Sequence, residues 1–560
     1  ADDLLIYVSH PATIASSIVS ILEEFGRFSG YKLNLQKSEC FKLNSPVPSR
    51  LVPSFPFRLS EDGFKYLGIH ITKSFTSLHA SNLTTLVNQM KDDFKRWSAL
   101  PLTLTGRINV VKMTVLPKFL YVFQCLPLFL TKSFFKTISQ AVNSFIWGNQ
   151  APRVKKDLLQ RQRCVGGLAL PSFIHYYWAA NIQKIVCWLH SPHISWCVLE
   201  EQSCKQSSLR ALIYSSLPIR SSSFTSHPVV LSTLKIWNQF RSHYKFMSAS
   251  TLGPIHKNHI FRPSIMDLSF MEWWRKGIYC FKDLYSSKTL DSYENLQRLH
   301  DLPRQLFFQY LQIRHFLKAN FPSFPSLPEQ GLWEDITLLK PEKGIISILY
   351  QKLLSLENHN LAKIQAGWEE ELGMELGDYW DHALERVNSS SSCARLALIQ
   401  FKVLHRAHYS KAKLAKIYQG ADASCSRCSF SPANLTHTFW SCPSLETYWS
   451  GVFKMLSEAL NITIDPSPLI AIFGVPTDTV TKAQSDVIAF TSLLARRRIL
   501  LMWKSTTPPS SARWLEDVML FLKLEKIKFT LRGSMKNFYR RWQPIIEYFD
   551  NLKELETGSI

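Results

Sequence analysis

The chain begins with "ADDLLIYVSH" (residues 1–10), in which two aspartates precede an apolar run, residues 4–8, that is rich in β-formers. A polar pair followed by such a run predicts a tight turn that enters a buried strand. Asp2 and Asp3 have two interpretations at this point. They shape the turn by bonding their own backbone, or they hold a divalent cation of the kind used in phosphoryl transfer.

The sequence that follows changes between helix and strand patterns. Residues 9–30 carry an apolar stripe at helical spacing, with Pro11 in the first turn and Gly30 just past the end. Apolar positions alternate over residues 31–35 and again from Phe64 onward, which predicts two more strands. This order predicts an α+β or α/β core. Residues 82–149 are predicted to be helices broken by prolines, so the whole chain is expected to be α+β and mostly helical.

Composition points to a polyanionic partner. The 560 residues include 65 Lys and Arg against 43 Asp and Glu, a net charge of +22. Such an excess favours nucleic acid over an anionic membrane. The most apolar stretch, which starts at Val115, is interrupted by prolines and a lysine, so no transmembrane helix is predicted. Neither a secretory signal nor a disulfide pattern is recognisable, and the 11 cysteines are expected to be reduced thiols in the cell.

Several stretches resemble one family. "ADDLLIYVS" (1–9), "FGRFSGYKLNLQKSE" (25–39) and "FKYLGIHIT" (64–72) look like the last three palm motifs of non-LTR retrotransposon reverse transcriptases, in the same order. The stretches at 100–130 and 166–183 resemble the region that follows them in the LINE-one clade, within the second open reading frame polyprotein. "ARRRILLMWKSTTPPS" (495–510) and "LEKIKFTLRG" (524–533) resemble the C-terminal end of that polyprotein. The likeness is weakest over residues 202–361.

The resemblance gives roles to residues of the first segment. Asp2 and Asp3 would be catalytic carboxylates that hold Mg²⁺, since polymerase chemistry uses two divalent ions about 4 Å apart. Lys37 resembles the palm lysine placed near the leaving pyrophosphate, although a solvated lysine after a strand explains it equally well. Four residues resemble the hairpin that grips the primer end, or form a plain apolar strand: Phe64, Tyr66, Leu67 and Gly68.

The resemblance also implies parts that these 560 residues do not contain. In the family, an upstream palm aspartate, the fingers and an endonuclease come earlier in the polyprotein. We therefore expect this chain to be a C-terminal part of such a polymerase and not to polymerise DNA by itself. The missing aspartate would leave the two-metal site incomplete, and the missing fingers would leave the nucleotide unpositioned.

Two basic segments are candidates for contact with nucleic acid. "PRVKKDLLQRQR" begins at Pro152, and "LIQFKVLHRAHYSKAKLAKIY" (398–418) interleaves basic and aromatic residues on a predicted helix, a pattern suited to phosphates and stacked bases. Solvated lysines on an ordinary amphipathic bundle are the alternative. The candidate residues, with two from a helix of the predicted thumb, are Arg107, Lys112, Arg153, Lys155, Lys156, Arg161, Arg163, Lys402, His405, Arg406, His408, Lys411 and Lys413.

A cysteine and histidine motif predicts a zinc site. "CSRCSFSPANLTHTFWSC" places Cys425, Cys428, His437 and Cys442 in the spacing C-x2-C-x8-H-x4-C. Two cysteines in a tight turn and a His and Cys from a following helix can complete a tetrahedron with no open position, which is typical of structural zinc. The LINE-one clade has such a cluster, followed by an aromatic-Trp and Cys-Pro as in "HTFWSCPSLETYW". Three reduced core thiols and a bonded histidine are the alternative.

Together these observations predict a partial reverse-transcriptase palm with a short sheet and helix (1–75), a helical thumb (76–200), a helical linker (201–370) and a zinc-bearing C-terminal domain (371–560). The expected function is that of a fragment of an RNA-directed DNA polymerase that retains nucleic-acid binding. Its expected partners are an RNA template and a DNA primer or target, not a membrane, in a ribonucleoprotein of nucleus and cytoplasm that is not secreted. The alternative is a nonenzymatic zinc-containing module that binds RNA or DNA.

Overall fold

The computed structural model describes residues 3–43, 56–216, 223–357, 361–477 and 479–557. The residues in these ranges are mostly helical and form two small sheets, so the predicted α+β, mostly helical class is confirmed at that level. Its described residues pack as two compact units. Unit 1 comprises Ala1–Lys95, Val115–Ser139 and Phe173–Ser355, and unit 2 comprises Arg96–Thr114, Gln140–Ser172 and Leu356–Ile560. The division by role into palm, thumb, linker and C-terminal domain stays a prediction.

The described strands all lie near the start of the chain. They are β1 (Glu39–Phe41), β2 (Arg58–Ser60), β3 (Gly63–Tyr66) and β4 (Ile69–Thr72). β1 pairs with β2 in parallel, and β3 pairs with β4 in an antiparallel hairpin. The turn of this hairpin is Leu67-Gly68, with φ of 45° and 82°. Two-residue hairpins favour a turn in which both central residues have positive φ, because the twist of that turn matches the twist of the strands. Glycine adopts a positive φ without strain.

The strand predicted over residues 4–8 is wrong. These residues have no strand conformation, and Leu4, Ile6 and Tyr7 are exposed. A strand needs a neighbour for its N–H and C=O groups. Each of the described strands already pairs with another close in sequence, and none of them lies alongside residues 4–8. The alternating run at residues 31–35 is likewise not a strand, and β1 begins only at Glu39.

The first helix ends where its sequence predicts. α1 (Pro11–Ser29) has proline in its first turn, and Gly30 follows with φ of 76°, donating its N–H to the Gly26 carbonyl at 2.9 Å. Glycine adopts this left-handed cap at no steric cost. The apolar stripe of α1 is largely exposed, since Ile14, Ile21 and Phe25 all face solvent. The termini of α1 therefore follow local rules, while its apolar face is left uncovered by the described residues.

The remaining helices make up most of the chain. Those up to residue 355 are α2 (Thr85–Ser98), α3 (Leu104–Val110), α4 (Leu116–Cys125), α5 (Lys132–Trp147), α6 (Lys156–Gln160), α7 (Phe173–His190), α8 (Ser195–Gln202), α9 (Leu209–Ile213), α10 (Pro228–His243), α11 (Pro263–Met266), α12 (Phe270–Arg275), α13 (Tyr293–His300), α14 (Phe307–Asn320), α15 (Leu332–Thr337) and α16 (Ile345–Ser355). Those that follow are α17 (Ala362–Leu372), α18 (Asp378–Ser389), α19 (Ala394–Leu404), α20 (Lys411–Ile417), α21 (Glu446–Leu460), α22 (Lys482–Leu501), α23 (Ser511–Leu531) and α24 (Met535–Thr557).

The core of unit 1 is built around α7. This helix is buried on several faces and packs against α4, α10 and α16, as expected of a helix that is apolar all round. Arg241 is fully buried beside it, with its guanidinium 4.1 Å from the Trp333 ring centroid and a hydrogen bond of 2.8 Å to the Phe246 carbonyl. A buried cation is tolerated here because carbonyls and an aromatic face replace water.

The core of unit 2 is built around α22, which packs against α19, α23 and α24. Arg496 on α22 is fully buried, and it donates to the Ala471 carbonyl at 2.7 Å and to Gln400 Oε1 at 2.6 Å. A short serine-rich connection joins α18 to α19. Buried Glu525 accepts hydrogen bonds of 2.7 Å from Ser391 Oγ and from the Ser392 N–H, which fixes this loop.

No helix among the described residues combines the length and the apolarity needed to cross a membrane. Each of the 11 cysteines is free of a disulfide.

Candidate metal centre and basic cleft

The first two ligands of the metal motif lie in a tight turn. The Cys425 N–H donates to the Phe430 carbonyl at 2.8 Å and the Ser429 N–H donates to the Cys425 carbonyl at 2.9 Å, which closes the turn. Within it, the Arg427 N–H points at Cys425 Sγ at 3.5 Å. A backbone donor aimed at sulfur stabilises a thiolate, so the turn positions Cys425 and Cys428 and favours the ligating form of Cys425.

The other two ligands are carried by one turn of π-helix, His437–Ser441, and the residue after it. Asn434 starts this turn by accepting a hydrogen bond from the His437 N–H at 2.7 Å. The Cys442 N–H donates to the His437 carbonyl at 3.1 Å, an i to i+5 bond. Because that bond brings residues five apart together, His437 and Cys442 reach the same side. The x4 spacing of the motif therefore matches the local backbone.

The four ligand atoms lie within 4.8 Å of one another. Cys442 Sγ is 3.9 Å from Cys425 Sγ and 3.6 Å from Cys428 Sγ, and Cys428 Sγ is 3.3 Å from His437 Nε2. A tetrahedron with Zn–S of about 2.3 Å and Zn–N of about 2.0 Å has edges of roughly 3.8 and 3.5 Å. A disulfide would bring two sulfurs to about 2.05 Å. The geometry fits zinc, and the predicted cluster is confirmed as a site able to bind a metal.

Burial and nearby dipoles set the electrostatics of this cluster. Burial raises the pKa of the Cys425 thiol, but hydrogen bonds from the backbone N–H groups of Arg427 and Cys428 and from the neighbouring thiols outweigh it and lower that pKa. Burial, with the Arg427 charge adding to it, lowers the pKa of His437 and keeps the imidazole neutral. Three thiolates and a neutral histidine around Zn²⁺ carry a net charge of −1, which Arg427 offsets.

Further hydrogen bonds orient the ligand segments. Arg427 donates to the Thr438 carbonyl at 3.2 Å and to the Met502 carbonyl at 3.4 Å, which fastens the turn to the end of α22. Glu371 accepts from the Thr436 N–H at 3.1 Å, immediately before His437. Arg406 pairs with Glu371. Outer-shell groups of this kind hold ligands in place, so the cluster is rigidly supported from two directions.

A cleft of about 1030 Å³ lies beside the metal ligands, within unit 2. Cys425 and Ser426 contribute to its lining. No carboxylate occurs among the described residues that line it, whereas seven cations do: Arg153, Arg395, Lys402, Lys411, Arg427, Arg497 and Lys504. The rest of the lining is largely apolar and aromatic, with Leu398, Ile399, Leu414, Leu500, Leu501, Tyr409 and Trp503. This combination of charge and apolar surface suits an anionic ligand with flat apolar groups.

The cleft brings together residues from both predicted basic segments. Arg153 of the first segment lies 5.3 Å from the ring centroid of Tyr409 in the second. Lys413 lies 5.1 Å from the same ring. Lys402, His408 and Lys411 line the cleft with Arg153. Segments that are far apart in the sequence thus form one basic surface.

Other predicted nucleic-acid residues have different surroundings. His405 is buried and its Nε2 lies 2.7 Å from the Gly166 carbonyl, while the charge of Arg406 is paired with Glu371. Arg107 donates to the Phe145 carbonyl at 2.7 Å. Lys112 is half-buried, and burial with the nearby Arg163 charge lowers its pKa. The remaining four are exposed or half-buried on the same segment as Arg153: Lys155, Lys156, Arg161 and Arg163. Nucleic-acid contact by these residues stays a prediction.

In the described part of the chain, the residues predicted to take part in polymerase chemistry do not come together in one site. Asp2 lies outside the described residues, and Asp3 is exposed. Lys37 is exposed in a turn that Asn34 closes. Phe64 and Tyr66 are half-buried in the hairpin, and Leu67 and Gly68 form its exposed turn. Among the described residues, the Cys-Cys-His-Cys cluster is the one place where three or more His, Cys, Asp or Glu side chains lie close enough to share a metal ion. The Mg²⁺ site stays a prediction.

Arg395 is a cleft residue that the sequence reasoning missed. Arg395 lies seven positions before Lys402, and both residues line the cleft together with Leu398 and Ile399. Positions i, i+3, i+4 and i+7 lie on one face of a helix. This spacing along α19 places Arg395 on the same helix face as Lys402, so the sequence could have identified Arg395 if the basic face had been followed one further turn pair towards the start of the helix.

Comparison with known families adds no family assignment. The chemistry of this region therefore rests on its geometry: a Cys-Cys-His-Cys cluster of tetrahedral dimensions beside a basic cleft. No protein-family model matches the chain.

Proposed function

We propose that this chain is the C-terminal part of a LINE-one-clade reverse transcriptase and that it binds nucleic acid. The observation that carries the proposal is the convergence of Cys425, Cys428, His437 and Cys442 at tetrahedral distances, in the ligand order that the resemblance implies. Zinc would be structural, because four protein ligands leave no position for a substrate. The intact protein would carry out RNA-directed DNA synthesis on a primed target.

Charge supports the binding part of the proposal. The net charge of +22 supplies nonspecific attraction to phosphates, and the cleft beside the metal ligands concentrates seven cations. Phosphate contacts give most nonspecific affinity for nucleic acid. The partners would be an RNA template and a DNA primer or target, and the protein would act in a ribonucleoprotein of nucleus and cytoplasm.

The hairpin supports the palm assignment. Its turn, Leu67-Gly68, is exposed, and the Tyr121 hydroxyl donates to the Leu67 carbonyl and holds the turn. A rigid exposed turn with a glycine suits close approach to a sugar-phosphate backbone. The primer-gripping role of Phe64, Tyr66, Leu67 and Gly68 remains part of the proposal.

A nonenzymatic binding module is the second candidate. The observation that favours it is the exposure of Asp3, together with the absence of a carboxylate cluster around it among the described residues. A two-metal polymerase site needs several converging carboxylates. Zinc and nucleic-acid binding would then be the whole function of the chain.

Three measurements on the full chain test these proposals. We expect about one zinc per chain, binding of RNA that weakens linearly with log salt, and no primer extension on an RNA template with Mg²⁺. Absence of both zinc and RNA binding would contradict both candidates. Template-dependent synthesis that Asp2→Ala abolishes would exclude the nonenzymatic module and establish an active polymerase.

A further inference from the structure

In and beside the basic cleft, near Tyr409 and His408, lies a set of cations that no carboxylate of the described residues neutralises. Among the described residues, no acidic group lies within ion-pair distance of Arg153, Lys402 or Lys413. Arg153 and Lys413 lie 5.3 and 5.1 Å from the centroid of the Tyr409 ring, and Lys413 Nζ also donates to the Arg406 carbonyl at 3.0 Å. Arg497, at another part of the cleft, differs because it pairs with Asp517 at 2.6 Å. Like charges held together in a partly buried place repel, and a bound anion would relieve that repulsion.

His408 lies among these cations with an unsatisfied ring nitrogen. Its Nε2 is buried and has no hydrogen-bond partner in the described part of the chain. Burial, followed by the charges of Lys402, Arg153 and Lys413, lowers the pKa of His408 to about 4. The imidazole is therefore neutral at pH 7 and can donate one N–H to an anionic oxygen. A buried polar atom without a partner costs free energy that a bound ligand recovers.

Part of the cleft lining is apolar. Leu398 and Ile399 of α19 and Leu500 and Leu501 at the end of α22 face it, with the Trp503 ring beside them. Trp503 is held in place by a hydrogen bond of 3.2 Å from its Nε1 to the Tyr409 carbonyl. Unpaired bases bury their flat faces against surfaces of this kind, whereas a duplex hides them.

We propose that a single-stranded polynucleotide binds in this cleft, with one phosphate held by Arg153, Lys402 and His408 and the adjacent bases against the apolar wall that ends at Trp503. The inference rests on the proposed nucleic-acid binding and adds its site and its strandedness. Two charge-assisted hydrogen bonds and one neutral donor match the oxygens of a phosphodiester. The cation cluster, the unpartnered nitrogen and the apolar wall are separate features that this ligand satisfies together.

The test uses the full zinc-loaded chain and a fluorescent 12-nucleotide RNA whose anisotropy reports binding. Arg153→Ala with Lys402→Ala should raise Kd at least tenfold and reduce the slope of log Kd against log salt by about 1.4, at 0.7 per contact. The matched control removes an arginine and a lysine from exposed positions of the same unit, Arg532→Ala with Lys523→Ala. It should change Kd less than twofold.

Folding of the cleft variant is checked by its zinc content and thermal unfolding. Because the substitutions remove mutually repelling charges, the melting temperature should stay the same or rise. A milder variant, Lys402→Gln, should still raise Kd severalfold, because it keeps a polar side chain only one atom shorter but loses the charge.

Several results would overturn the inference. Equal losses in the cleft and control variants would indicate diffuse binding, and the proposed function would stand. Duplex RNA, a mononucleotide or polyglutamate that binds as tightly as the single strand, with the same dependence on Arg153 and Lys402, would identify a different ligand class. Absence of any RNA binding by the unaltered chain at low salt would overturn the proposed function as well.

Discussion

The first segment of the chain (residues 1–75), through Asp2 and Asp3, and the metal segment of unit 2 (residues 425–442) were both predicted to bind metal ions, but their described residues are arranged differently. In the first, Asp3 is exposed and residues 4–8 form no strand. In the second, four ligand atoms lie within 4.8 Å of one another, and Arg427 and Glu371 hold their segments. A site made by one continuous segment forms from local turns, whereas a carboxylate site on a sheet depends on strands contributed from elsewhere.

We expect the largest effect from removing the metal, which would sharpen the comparison between the two segments. Cys428→Ser or a strong chelator should remove the zinc and loosen residues 425–442, because metal binding in comparable small sites supplies on the order of 10 kcal/mol. Zinc analysis and hydrogen exchange measure this. Cys393→Ser, a half-buried cysteine outside the cluster, is the control and should keep about one zinc per chain. Zinc-free protein purified with reduced thiols and without chelator would contradict the assignment.

The second effect concerns the acid stability of unit 2. Burial lowers the pKa of His405 to about 4, partly opposed by its hydrogen bond to the Gly166 carbonyl. The unfolded chain binds a proton near pH 6.5, so the stability contributed by neutral His405 is complete above that pH and is lost as the pH falls towards 4. The loss should be roughly 3 kcal/mol.

Denaturant unfolding at several pH values measures this loss. His405→Gln should reduce the dependence of the unfolding free energy on pH between pH 6.5 and 4, and part of it should persist because burial also lowers the pKa of His408 to about 4. His382→Gln, an exposed residue of the same unit, is the control. An unchanged slope in His405→Gln would show that His405 is not the titrating group.

The third effect tests how the hairpin is held. Asn82 is buried and bonds both the N–H and the C=O of His70 in β4, each at 2.9 Å, as another strand would. Asn82→Ala leaves these groups without partners and should cost about 1–3 kcal/mol. Asn320→Ala, which removes one exposed hydrogen bond on α14, should cost less than about 0.5 kcal/mol. Equal costs in thermal unfolding would show that Asn82 does not anchor the hairpin.

We expect the smallest effect on stability from substitution of Lys37, the predicted catalytic lysine. Lys37 is exposed and no pairing partner lies beside it among the described residues, so Lys37→Ala should change stability by less than about 0.5 kcal/mol, as should Lys32→Ala. A loss above about 1 kcal/mol in Lys37→Ala alone would mean that the first segment contains an organised site, and it would weaken the contrast with the metal segment.

How far the sequence predicts this molecule depends on the range of the interactions involved. Pro11 and Gly30 act on their own backbone, and both ends of α1 were predicted. The metal cluster was predicted for the same reason, since turn and π-helix spacing fix all four ligands. Residues 4–8 have strand-forming side chains but no neighbour, and composition does not reveal that. Arg153 and Lys402 meet in one cleft because helices distant in the sequence pack together. The pattern of residues within either segment does not reveal that packing.

The placement of all four ligands between Cys425 and Cys442 has a consequence for the order of folding. Closing short loops costs little chain entropy and is fast, on the order of 10–100 ns for about ten residues. The cluster can therefore take up its ion while α22–α24 are still being synthesised. The bond from Arg427 to Met502 can form only afterwards. We expect the ion to act as a seed onto which the later helices dock, and pulse-labelled exchange should show residues 425–442 protected before α22.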